Sequence, residues 1–495
     1  MAELGRRTVL KGAAAAALGG PFLGFVTRDA AGAAPDGGGA GPMLDPASGS
    51  SAFRELRAIP DLRDGNVRLW LPEGFQYRSF HDTETPVVLD DGTRLPGRHD
   101  GMAAFPAGNG NVILVRNHEV AITPTVNQAF GPGTPYDPAG PGGTTTIEVT
   151  RFGEVVRAFT SVNGTLMNCS GGPMPWGSWI TCEETVNGPD VGPDFANSPN
   201  HLLQKPHGFI FEVPAGGQSN RQPITSAGRF AHESVAFDPH DGVLYLTEDN
   251  FGFASGFYRY LPPSNPMRTG RLENGGRLQM LAVRGEPNAH LEASQPRRAT
   301  YHVEWVDIDD PAPTFPAGTS NNDALKYVAE QGWVQGAAFF SRLEGSAYDN
   351  GVVYFCSTQA GGPAETSTGP IADGFGNGTG QIWAYHTRSQ MLQLLYESPG
   401  ADVLDFPDNV TTSARGTLVL CEDNVNDNYV RGLTRGGQLF DIALNRLVSR
   451  TGTPRFNDEF AGSTFSPDGH TLFVNIQASA GMTFAIWGPW HRIGV

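Results

Sequence analysis

Along this 495-residue chain the hydrophobic positions gather in short, nearly continuous apolar runs, each led in by a glycine-containing turn and closed by an acid or amide. The pattern recurs six times: GNGNVILVRNHE ending at Glu119, PWGSWITCEE at Glu183 and Glu184, DGVLYLTED at Glu248 and Asp249, NGVVYFCSTQ at Gln359, RGTLVLCED at Glu422 and Asp423, and DGHTLFVNIQ at Gln477. Apolar runs bounded by Gly-led turns predict strands. Successive copies end 64, 65, 111, 63 and 55 residues apart. The long interval is expected to hold a Pro- and Gly-rich loop excursion over about 262–335, inside one blade. Radial repetition of four-stranded sheets around a channel predicts an all-β, six-bladed β-propeller.

A second element precedes each run by about one hairpin: Asp100-Gly101-Met102-Ala103, Cys169-Ser170-Gly171-Gly172, Glu233-Ser234-Val235-Ala236, Glu344-Gly345-Ser346-Ala347, Asp408-Asn409-Val410-Thr411 and Glu459-Phe460-Ala461-Gly462. Innermost propeller strands line the axis, so equivalent positions converge on one small volume. Five carboxylates and a thiol gathered there raise each other's pKa and call for cations. Oxygen ligands favour hard ions such as calcium, and a thiolate among them points to a transition metal such as iron. Taken singly, each acid is better read as a turn-starting residue capping backbone NH groups; the six matched copies together favour metal binding. His118 and His232 stand beside acids, where a structural role is the commoner one.

Composition agrees with this reading. Gly at 64, Pro at 38 and charged residues at 17% describe a turn-rich β-protein. A formal net charge of -17 with no basic stripe excludes a nucleic-acid backbone as partner. Arg6-Arg7 ahead of the Ala/Gly-rich run Gly12–Val26 resembles a twin-arginine export signal, and Ala31-Gly32-Ala33 offers a cleavage site. The expected layout is a signal over 1–33, a flexible linker over 34–52 and one propeller domain over 53–495. That run is a poor anchor, so no stable membrane insertion is expected; the destination is periplasmic or secreted, with the twin-arginine machinery as a partner. Four cysteines, Cys169, Cys182, Cys356 and Cys421, are too few for a disulfide scaffold. A closed propeller leaves few free edges, so a monomer is expected.

The blocks NCSGGPMPWGSWITCEE (168–184), RNHE (116–119), GRFAHE (228–233), TED (247–249), FFSRLEG (339–345), DFPDN (405–409) and EFAGSTFSPDGHTLFVNIQ (459–477) resemble the PhoX family of bacterial alkaline phosphatases. The resemblance implies a twin-arginine-exported six-bladed propeller that hydrolyses phosphomonoesters at a cluster of ferric iron and calcium. Carried over by position, Cys169 becomes an iron ligand, and Glu183, Glu184, Glu233, Asp249 and Glu344 hold iron or calcium. Arg342, two residues before Glu344, binds the phosphate, making Arg342 and Glu344 the expected catalytic pair. Glu119, Asp408, Glu422 and Glu459 complete the ligand set from the repeat. Met174 and Thr185-Val186 depart from the family pattern, which bears on substrate preference. The alternatives are another calcium-dependent propeller hydrolase, lactonase or phytase-like, and a non-catalytic metal-binding propeller. Cys169 separates the first, since a calcium-only site has no use for a thiol.

Overall fold

The computed structural model describes residues 55–367 and 369–495. The expected signal, the linker and the first residues of the expected domain lie outside them. Six antiparallel blades follow one another around an axis. Their innermost strands are His99–Pro106, Asn168–Met174, His232–Asp238, Leu343–Asp349, Pro407–Thr412 and Glu459–Phe465. Each pairs with the apolar run that follows it: Val112–His118, Ser178–Glu183, Val243–Glu248, Val352–Ser357, Leu418–Glu422 and Thr471–Gln477. Blades are numbered 1 to 6 in that order, and neighbouring inner strands contact one another all round the ring, blade 6 against blade 1 included.

The apolar runs are nearly continuous because both faces of each blade are buried against neighbours. In blade 5, Val419 and Cys421 pack into a core shared with Leu472 and Val474 of blade 6. Leu418 and Leu420 point the other way, against Tyr354 and Ile382 of blade 4. Blade 1 divides alike: Leu114 meets Phe473 of blade 6, and Val115 meets Trp179 of blade 2. Strand alternation thus sends successive apolar residues into two different inter-blade cores.

The ring is closed by chain from its own beginning. Gln76–Phe80 is the fourth strand of blade 6, pairing with Met482–Trp487. Leu56–Pro60 and Val67–Pro72 extend the outer edge of blade 5. The segment expected as a loop excursion is more ordered than that. It contributes Arg277–Val283 as the fourth strand of blade 3, Thr300–Asp307 bridging the outer edges of blades 3 and 4, and a helix, Asn321–Trp333. The helix starts at Ser320, whose side chain accepts the Asp323 NH. Among the described residues no helix is long and apolar enough to cross a membrane.

Candidate metal centre

Every inner strand carries a bulge. In blade 1, His99 pairs with His118 and Met102 with Arg116, so Asp100-Gly101 faces one partner residue. The same slip occurs at Cys169-Ser170, Glu233-Ser234, Glu344-Gly345 and Asp408-Asn409. A bulge bends the strand and re-aims a side chain, which is why bulges gather beside functional sites. Two residues earlier, Arg98, Met167, Arg342 and Phe406 adopt left-handed φ values of 50°, 46°, 41° and 51°. Neighbouring blades pin the re-aimed backbone. Asn117 donates to the Cys169 and Ser170 carbonyls, Thr247 to that of Glu344 and Asn475 to that of Asp100.

Five bulges therefore deliver Asp100, Cys169, Glu233, Glu344 and Asp408, all buried, to one end of the channel. Ligand atoms of Cys169, Glu184 and Glu233 lie within 4.8 Å of one another, as do those of Glu233, Glu344 and Asp408. Glu233 belongs to both groups. Burial, with Asp249 and then Glu119 beside it, pushes the Glu184 carboxyl well up. Burial, followed by Glu184, does the same to Glu233, and burial with Asp249 and Asp408 to Glu344. Asp408 is pushed up to about 6 by burial, against a hydrogen bond from Glu459 that lowers it. Burial, then Glu233 and Glu184, holds the Cys169 thiol protonated, and its Sγ lies 3.2 Å from the His232 carbonyl.

Acids this close need positive charge, and two arginines supply part of it. Arg342 Nη2 donates to Asp249 Oδ2 and Glu344 Oε1, each at 2.8 Å. Burial opposes its charge, yet Asp249 and Glu344 raise its pKa well above the usual value. Diametrically opposite in the ring, Arg98 Nη2 donates to Glu119 Oε2 at 2.5 Å. The rest of the charge calls for cations. A thiol with two carboxylates suits a transition metal such as iron, and three carboxylates suit calcium, so the donor sets fit the expected ions.

Several expected ligands are placed elsewhere. Glu183 faces away from the axis: its oxygens take His207 Nδ1 at 2.6 Å and the Leu166, Gly208 and Phe209 NH groups. Glu422 is likewise spent on Arg431 Nε and the Asp405 and Tyr429 NH groups. Its neighbour Asp423 is the one whose charge reaches Asp408. In blade 6 the bulge falls at Gly462-Ser463, so Glu459 sits opposite Gln477, before the bulge. It still bonds Asp408. Gln477 donates to Asp100 Oδ2, whereas Gln359 holds the Gly-rich loop through the Asp373 and Gly376 carbonyls. That loop, Gly374-Phe375-Gly376-Asn377-Gly378, buries Phe375. His118 and His232 bond backbone or threonine oxygens, and burial lowers each to about 3.

Three groups at the site were left out of the ligand and arginine set drawn from the sequence, Asp100, Asp423 and Arg98. The signal for Arg98 is its offset, two residues before Asp100, the same as Arg342 before Glu344. Met174 lies away from the cluster, lining a cavity of about 400 Å³ toward the other mouth of the channel.

The alkaline phosphatase PhoX family model matches residues 55–160 and 153–480. The chain belongs to the PhoX family. Among solved structures, Pseudomonas fluorescens PhoX in complex with vanadate, a transition state analogue, is similar with a TM-score of 0.63 and 16% identity, over 88% of this chain and 98% of that one. A gluconolactonase from Xanthomonas campestris is similar at a TM-score of 0.36 and 12% identity, over 87% and 97% of the two chains. Virginiamycin B lyase from Staphylococcus aureus has a TM-score of 0.36 and 13% identity, over 83% and 99%. No curated protein sequence matches. Within this PhoX chain, the bulges of blades 1 to 5 supply the inner candidate ligands, and Glu119, Glu184, Asp249 and Asp423 follow at the ends of the second strands.

Proposed function

We propose that this protein is an exported, metal-dependent phosphomonoesterase of the alkaline phosphatase type, acting on small phosphate esters in the periplasm or medium. The observation that carries the reading is a buried arginine, Arg342, fixed between Asp249 and Glu344 at the edge of two candidate metal groups. Cys169, Glu184 and Glu233 would hold iron; Glu233, Glu344 and Asp408 would hold calcium. Bound there, the ions supply Lewis-acid polarisation and neutralise phosphoryl charge.

The chain's own residues do the rest. Arg342 gives Nε and Nη2 to Asp249 and Glu344, which fixes the guanidinium plane before substrate arrives and leaves Nη1 to meet a phosphate oxygen. Phe251 packs against the guanidinium, 5.7 Å from its ring centroid, and limits water on that side. A preorganised donor in a dry site acts strongly on charge that develops in phosphoryl transfer. The vanadate complex of the P. fluorescens relative supports that reaction class. Arg6-Arg7 and the apolar run after them support twin-arginine export.

The test is Arg342→Ala. Metal content should stay while turnover of p-nitrophenyl phosphate falls roughly 100-fold, the usual loss for one such donor. Unchanged turnover in a metal-replete variant would remove Arg342 from the chemistry.

A further inference from the structure

The cavity bordering the candidate cluster is more apolar than handling a phosphate requires. Glu184 and Asp249 line it, and so do Ile122, Leu166, Val186, Phe195, Phe251 and Leu325. Its polar groups are largely engaged with one another. Asp194 Oδ1 accepts the Ala196 and Ser198 NH groups at 2.9 and 3.0 Å, and its Oδ2 accepts Asn187 Nδ2 at 3.0 Å and Ser198 Oγ at 2.7 Å. Asn187 Oδ1 takes the side-chain NH₂ groups of Asn200 and Asn321, each at 3.2 Å. These bonds brace the turn that displays Phe195, which is 53% exposed beside the cavity. An exposed ring on a braced turn, next to buried aliphatic walls, suits an apolar guest better than a polyol.

We propose that this cavity receives the alcohol half of the phosphate ester and selects small apolar or single-ring alcohols, with Phe195 and Leu325 as the specificity-determining contacts. This rests on the phosphatase reading above. A volume of about 70 Å³ in a cavity open to solvent matches a short alkyl group or part of one ring, and a larger guest would have to protrude. Val186, at a departure from the family pattern, is one of the walls. Leu325 comes from the helix in the blade 3 insertion, so that insertion would shape selectivity.

The experiment compares kcat/KM for benzyl phosphate and glycerol 1-phosphate, esters of alcohols of similar acidity, in the wild type, Phe195→Asp and Leu325→Asp. Calorimetric titration with benzylphosphonate and methylphosphonate accompanies it. The wild type should favour the benzyl ester and benzylphosphonate by roughly tenfold, and each variant should bring both ratios toward one. Phe195 is half in solvent, so its replacement tests the contact without endangering the fold. Benzylphosphonate preference with no turnover of either ester would sink the phosphatase reading and leave the cavity's role standing. Absence of any benzyl preference in wild-type binding overturns the inference, whatever the turnover.

Discussion

At the residue scale the site turns on a few side chains that differ only in what their neighbours leave unsatisfied. Cys169 is the residue on which the proposed iron site depends. Cys169→Ser should lower iron content and turnover together, read by elemental analysis and phosphate release; full iron in that variant would remove the thiol from the cluster. Glu183 and Glu184 are adjacent acids with opposite fates. The sequence shows the pair but not which member faces the axis, because strand alternation assigns opposite faces and only the fold says which face is which. Glu183 instead joins Asp137 around the buried His207. Burial disfavours the charged ring, but Glu183 and Asp137 outweigh it and raise His207 to about 9. A histidine raised above its unfolded value of about 6.5 contributes stability that is full below that pH and lost as pH rises toward 9. The contribution is about 3 kcal/mol. Urea unfolding should show the wild type losing stability between pH 6 and 9.5, and His207→Gln losing much less; parallel losses would mean that His207 is neutral.

At the element scale the inner strand with its bulge is the functional unit. The repeat of acids before each apolar run was legible in sequence, since five of the six fall on bulges. The sixth was misaligned because blade 6 places Gly462, with φ of 61°, where the others place an acid or thiol. The insertion was legible only as a length, since neither of its strands carries both marks of the repeat: Arg277–Val283 follows Gly275-Gly276 but ends on Val283, and Thr300–Asp307 ends on an acid but follows no glycine. Glycine at the bulge has a steric reason: a Cβ on Gly101 would lie 2.6 Å from Ser170 Cα, and one on Gly345 2.7 Å from Asn409 Cα. Both neighbours are backbone and cannot swing aside. Gly101→Ala should cost about 1–3 kcal/mol, the range for overpacking, and reduce metal content by shifting Asp100 and Cys169. Thermal melting and elemental analysis check this, and a variant identical to wild type in both would mean that blades 1 and 2 tolerate separation.

At the scale of the whole molecule, six blades carry their charge to one end of the channel. The near-even period made the propeller and its six blades legible. Closure by Gln76–Phe80 was not, because that strand lies before the first copy and has no acid at its end. The burial that assembles the cluster also works against the metal-free protein. Asp100, Glu184, Glu233 and Glu344 are pushed well up, and Asp408 to about 6, so the folded state holds protons that the unfolded chain releases near pH 4. Metal-free stability therefore falls as pH rises above about 4. Ions that replace those protons restore it. The drop in Tm caused by chelation should be larger at pH 8 than at pH 5; a pH-independent drop would mean that the acids are neutralised by something other than metal.

The most direct test of the central claim is hydrolysis of p-nitrophenyl phosphate at alkaline pH by protein produced with its export signal, with and without a calcium chelator. Turnover that the chelator abolishes and added calcium restores is the predicted result. A folded, metal-loaded sample with no turnover would contradict it.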